Sequence, residues 1–181
     1  MGKRAKSISK RQWEFIENQK MFFVGTATEE GRVNVSPKGM DTLKVIDPGR
    51  VIWLNLTGSG NETAAHVLHS GRMTIMFCAF EGNPMILRLY GQAKVYHERD
   101  IRYQEFINMF PEHYGARQIF ELEVDLVQNS CGFGVPLYSY VGQRTLLEEW
   151  SLKKGDEGLQ EYWKEKNVKS LDELDTGIFG D

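Results

Sequence analysis

The pattern that most restricts this chain is a run of short apolar segments broken by Gly- and Pro-containing turns, with no regular alternation of strands and long helices. Residues 21–28 (MFFVGTAT) read as a strand and residues 29–32 (EEGR) as its turn. Residues 33–39 (VNVSPKG) then return with apolar–polar alternation. A short strand follows at 43–46, then the turn Asp47-Pro48-Gly49-Arg50, then a nearly continuous apolar strand at 51–56 (VIWLNL). Residues 72–80 (RMTIMFCAF) and 86–97 (ILRLYGQAKVYH) read as strands, the second with a bulge or bend at Gly91. Residues 117–128 alternate, with Ile119, Glu121, Glu123 and Asp125 opposite Phe120, Leu122, Val124 and Leu126. Helices are expected at about 9–19, where Ser9 and Gln12 have the spacing of a capping box, and at 62–69, 98–110, 143–153 and 157–166. The last fifteen residues are weakly patterned. About seven strands in this order argue against a doubly wound parallel sheet and favour an antiparallel barrel or sandwich.

The 181 residues are enough for one domain with a real core, and 41% apolar with 26% charged residues is a globular profile. A net charge of −3 gives no overall pull toward nucleic acid. Lys3, Arg4, Lys6, Lys10 and Arg11 precede the first acid, Glu14, and read as a solvated arm; the alternative is an arm that seeks phosphate or a membrane surface. Two cysteines, Cys78 and Cys131, make no disulfide framework, so reduced thiols and a cytoplasmic location are expected. No signal-peptide pattern and no run of about 18 apolar residues is present.

Three segments could carry chemistry. In residues 57–63 (TGSGNET) a strand runs into a Gly-rich loop that opens a helix, a natural place for phosphate. It is neither a Walker loop nor a dinucleotide fingerprint, and the plain alternative is a helix capped by Asn61. In residues 33–39, Lys38 could set a cation near that phosphate, or lie on a solvated strand end. In residues 130–138 (SCGFGVPLY), glycines allow close backbone approach to a ligand or another chain; the alternative is a tight structural connection, and Cys131 has no evident base to make it a nucleophile. His66 and His69 lie three apart on one expected helix, but no Cys or carboxylate set completes a metal site. His97 and His113 read as lone surface residues.

Taken in order, VNVSPKG (33–39), VIWLNL (51–56), GSGNETAAHVL (58–68), RMTIMF (72–77), LRLYGQAKV (87–95) and CGFGVPLY (131–138) resemble the pyridoxamine 5′-phosphate oxidase-like family of FMN-binding proteins. The resemblance implies a mainly β fold with inserted helices, an antiparallel split β-barrel over residues 1–140, with residues 141–181 a helical extension packed on it. It implies an FMN-dependent oxidoreductase working as a homodimer with FMN at the interface, on a small molecule, without nucleic acid or membrane. By position, Val35, Ser36 and Lys38 would face the isoalloxazine ring and ribityl chain. Trp53 and Leu54 would offer backbone, and Asn61, Glu62 and Thr63 would hold the phosphate. Cys131, Gly132 and Phe133 would approach from the partner subunit. The family's oxidases carry basic residues where this chain has Asn61-Glu62-Thr63, which shifts the phosphate's charge partner to Lys38, Arg72 or Arg88. The Arg-Leu-His substrate motif of those oxidases is missing, so their own activity is not expected. A non-catalytic flavin-binding or sensing protein, or the same barrel holding haem or a deazaflavin, are the other readings.

Overall fold

A computed structural model describes residues 2–180. In chain order the elements are β1 (Lys3–Ala5), α1 (Lys10–Asn18), β2 (Phe22–Thr26), β3 (Asn34–Lys38), β4 (Leu43–Asp47) and β5 (Arg50–Leu56). There follow α2 (Glu62–Ser70), β6 (Arg72–Cys78), β7 (Ile86–His97), α3 (Ile101–Ile107), β8 (Ala116–Ser130) and α4 (Leu146–Lys166). The strands pair antiparallel in the order β3-β2-β6-β7-β8-β5-β4, with β1 attached to β8. The sheet curls without closing, leaving β3 and β4 as its ends: a split barrel.

The long strand β8 organises the sheet. One edge pairs with β7 from Gln118 to Ser130; the other pairs with β5 from Ala116 to Glu123 and with β1 from Val127 to Asn129. Burial on both faces follows. Phe120, Leu122 and Val127 join Val24, Trp53, Ile75, Phe77 and Leu89 inside the barrel, while Ile119 joins Ile52, Leu54, Tyr103 and Phe106 under α3. Trp53 stacks on Phe120 with centroids 4.5 Å apart, a contact worth about 0.5–1.5 kcal/mol beyond area burial. Ser9 and Gln12 form the capping box that starts α1.

Two register shifts in β8 matter. One lies between Tyr90 and Gly91 of β7 and leaves Asp125 unopposed. A Cβ on Gly91 would sit 1.8 Å from the Glu123 carbonyl oxygen, so only glycine lets the strands approach there. The other lies where β5 meets β8: Asn55 pairs with Gln118 and Leu56 with Ala116, so Arg117 is the extra residue. Alternation fails there, and Arg117 and Gln118 are both buried.

Helix α4 breaks at Gly155, whose φ of 67° is cheap for glycine, which accounts for two expected helices appearing as one kinked element. Trp163 Nε1 on its second half donates to Thr57 Oγ1 at 2.9 Å. Beyond it the chain doubles back, with Ser170 N donating to Leu174 O and Thr176 N to Val168 O. Arg99 clamps the end of this segment by donating to the carbonyls of Gly177 (2.6 Å) and Ile178 (2.9 Å). An ion pair between Arg32 and Asp172 holds its middle.

The structure corrects two expectations. The basic arm contains a strand, β1. His97 is buried rather than superficial, at 6% exposure. Among the described residues no helix is long and apolar enough to cross a membrane, and Cys78 and Cys131 are unpaired.

Candidate functional site

A cleft of about 530 Å³ opens where β3, β5, the start of α2, the start of β8 and the C-terminal segment converge. Its walls include Ser36, Lys38, Asn55, Thr63, Arg117 and Lys169. Strand β3 alternates as a half-exposed strand should, turning Asn34, Ser36 and Lys38 into the cleft and leaving Val35 64% exposed on the other face. Of the residues expected at the site, Ser36, Lys38, Asn61, Glu62 and Thr63 are therefore brought together. Trp53 is in the barrel core and Leu54 under α3; the Leu54 N–H is engaged by the Thr42 carbonyl at 2.8 Å. Cys131, Gly132 and Phe133 lie past the opposite end of β8, roughly 45 Å along the strand from Arg117. They do not enter this cleft within one chain.

The electrostatics point to an anion. Arg117 is only 5% exposed; Nη1 donates to Asn167 Oδ1 at 2.6 Å and Nη2 to Gly60 O at 3.2 Å, while Nε has no partner. Burial lowers its pKa to about 10. Lys38 Nζ donates to Asn55 Oδ1 at 3.4 Å and lies 5.1 Å from the centroid of the Trp53 ring. Burial first, then repulsion from Arg117, pulls the Lys38 pKa down to about 8. Among the described residues no carboxylate pairs with either cation.

Glu62 stands at the start of α2, where a carboxylate would oppose a bound anion. Its carboxylate instead accepts the Leu171 N–H at 3.0 and 3.2 Å and is bound to the C-terminal segment. Asn61 makes no side-chain hydrogen bond to the first turn of α2; its Nδ2 donates to Asn167 O, and its Oδ1 is buried without a partner. The helix start is thus not capped by the Asn61 side chain: Ala64 N and Ala65 N donate to the Asn61 carbonyl, and Glu62 and Thr63 stand at the cleft wall. Ser36 Oγ is likewise buried and unpartnered. Orphaned Ser36 Oγ and Arg117 Nε around one cleft can donate to an anionic ligand group, while Asn61 Oδ1 can only accept and fits a donor on the same ligand.

A directed hydrogen-bond chain leads inward from Lys38. An ammonium can only donate, so Asn55 presents its oxygen to Lys38 and its amide nitrogen to Gln118 Oε1 (3.2 Å). Gln118 Nε2 then faces His97 Nε2 at 3.0 Å. On the other side of the ring, His97 Nδ1 lies 3.3 Å from Arg99 Nη2 and 3.7 Å from the Asp100 carboxylate. Burial, then the Arg99 charge, lowers the His97 pKa to about 4, against a smaller opposing pull from Asp100.

Asn55, Arg117, Lys169 and the segment around Leu171 were not expected at the site. Arg117 points into the cleft because of a register shift, which no local sequence pattern announces. Arg72, one expected charge partner, donates to Thr28 O, and Arg88 to Ser130 Oγ, both away from the cleft. His66 is buried against Thr26 Oγ1 while His69 is exposed, and no metal-ligating cluster exists among the described residues. A second cleft of about 320 Å³ beside α1 is lined by Glu17, Asp41 and Lys44, the last two already paired.

Residues 8–131 match the family described as pyridoxamine 5′-phosphate oxidase. An Aspergillus flavus protein, the pyridoxamine 5′-phosphate oxidase family protein ustO, is 35% identical over 93% of this chain and 75% of its own length. Among solved structures, a variant of HupZ from Group A Streptococcus superposes with a TM-score of 0.55 at 19% identity, over 68% of this chain and 99% of that one. A Lactobacillus delbrueckii protein described as a candidate pyridoxamine 5′-phosphate oxidase gives a TM-score of 0.54 at 17% identity, over 68% and 94%. At these identities the structural likeness concerns the fold.

Proposed function

We infer that this chain, which belongs to the pyridoxamine 5′-phosphate oxidase family, binds FMN and acts as an oxidoreductase on a small molecule. The observation that carries the reading is Arg117: a buried, oriented guanidinium with no counter-charge, in the wall of the cleft and bonded to Gly60 O just before α2. The phosphate would be held by Arg117, the first turn of α2 and the Thr63 hydroxyl, with Lys169 at the rim. Ser36 and Lys38 would meet the ribityl chain and ring. The carboxylate of Glu62, tied to Leu171 N, stays out of the phosphate's way.

A bound flavin supplies hydride and electron transfer, and the protein supplies placement. Lys38 sets a positive charge over the floor of the cleft, and the Asn55–Gln118–His97 chain fixes the Asn55 oxygen that holds it. We further propose a homodimer, in which Cys131, Gly132 and Phe133 of one protomer approach the flavin of its partner. Phe133 is 81% exposed in the single chain, and Val35 on the edge strand β3 and Val33 just before it are exposed apolar residues.

The test is an absorption spectrum after FMN is added and excess removed by gel filtration. Flavin bands co-eluting at dimer size are expected; a colourless protein removes FMN from the site. Oxidation of a reduced nicotinamide by the loaded protein then separates an oxidoreductase from a flavin-holding protein without turnover.

A further inference from the structure

Asn167 follows α4 directly and is fully buried. Its Oδ1 accepts from Arg117 Nη1 at 2.6 Å, and its Nδ2 donates to Gly58 O at 3.1 Å. Its main-chain oxygen accepts from Asn61 Nδ2 at 3.3 Å and from Thr176 Oγ1 at 2.6 Å. One residue thus joins the arginine, the Gly-rich loop, the residue before α2 and the C-terminal segment.

The notable point is its charge. An aspartate of nearly the same shape would make a stronger, charge-assisted bond to Arg117. It would also neutralise the guanidinium in a buried setting. The amide orients the guanidinium without neutralising it, and Arg117 Nε remains unpartnered. A buried cation without a counter-charge is unfavourable until an anion arrives. The arrangement therefore places in the empty cleft a deficit that an anionic ligand group removes.

We propose that Asn167 is a positioning residue that aims Arg117 while leaving its charge for the ligand, so that the C-terminal segment sets the preference for a phosphorylated over an unphosphorylated flavin. The flavin in this statement rests on the function proposed above; the anion preference rests on Arg117 and Asn167 alone.

The experiment compares FMN and riboflavin affinities, by flavin fluorescence, for the wild type, Asn167→Asp, Arg117→Gln and the double variant. Asn167→Asp is expected to lower FMN affinity by roughly tenfold or more while leaving riboflavin affinity unchanged. Arg117→Gln should do the same, and the double variant, in which the pair carries −1 where either single variant is neutral, should lose more FMN affinity than either. An unchanged FMN-to-riboflavin ratio in Asn167→Asp overturns the proposal. So does an equal fall in both affinities, which is what mere structural damage gives. If Asn167→Asp does not fold, Asn167→Ser decides: its short side chain releases Arg117, so the ratio must fall. If the wild type retains neither flavin, the function proposed above fails, and inorganic phosphate becomes the probe. Phosphate that raises the wild-type unfolding temperature but not that of a folded Asn167 variant sustains the inference; phosphate without effect on the wild type ends it.

Discussion

Lys38 is held between two demands: its ammonium is buried beside a second cation, yet it has only a neutral oxygen for a partner. Removing it therefore separates its two effects. Lys38→Ala should weaken FMN binding by about 1.5–3 kcal/mol, read by titration of flavin fluorescence. Unchanged affinity at moderate salt would take Lys38 out of the site. The pH dependence has a definite sign. The folded pKa of about 8 lies below the ordinary 10.5, so the unfolded chain holds this proton more tightly. Without ligand, the Lys38 contribution to stability is least favourable below pH 8 and improves as pH rises from 8 toward 10.5. Anion binding runs the other way: FMN affinity should decline above about pH 8 as the ammonium is lost. An affinity flat from pH 7 to 9 would contradict the placement. Ser36, Lys38 and the loop before α2 were legible in the sequence because strand alternation and Gly-rich loops are local signals. Arg117 was not, since its direction is set by an unopposed residue between two strands more than sixty positions apart.

Among the elements, β7 and β8 carry the most specific predictions. Gly91→Ala would press a methyl group into the Glu123 carbonyl and should cost roughly 1–3 kcal/mol or more, seen as a lowered thermal midpoint. An unaltered midpoint would mean that the bulge relaxes freely. At the end of β7, His97 is neutral at pH 7, with a folded pKa of about 4 against an ordinary 6.5. The unfolded chain binds that proton first, so stability should fall as pH drops from 6.5 toward 4. The groups that set this value are Arg99, Asp100 and Arg117, with Gln118 in contact. His97→Gln should show a smaller loss of urea midpoint between pH 7 and pH 5 than the wild type; equal losses would assign the acid sensitivity elsewhere. Gly91 announced its bulge because a lone glycine in a strand has few other uses. β1 did not announce itself, because Lys3, Arg4 and Ala5 have no apolar face; they form a strand only because β8 offers a free edge beyond the end of β5.

For the molecule as a whole, the antiparallel split barrel was legible because turns and short apolar runs dictate it. The role of the last residues was not, because the segment after α4 is shaped by side-chain bonds to distant backbone rather than by any periodicity. The proposed homodimer makes a test at this scale. Phe133→Ala should loosen flavin retention and self-association together, by flavin titration and sedimentation, if the loop crosses between protomers. No effect on either would leave Phe133 as a surface residue of one chain.

The position of Asn167 also sets an order of events in the life of the protein. Strands β2 to β8 can pair as they emerge from the ribosome, yet the wall carrying Asn167, Lys169 and Leu171 is translated after all of them. Until it docks, Arg117 has no Asn167 to hold it and Glu62 no Leu171 amide to draw it aside. On the proposed assignment, loading of the cleft would follow synthesis, and a nascent chain stalled before residue 167 would carry Arg117 without the residue that aims it.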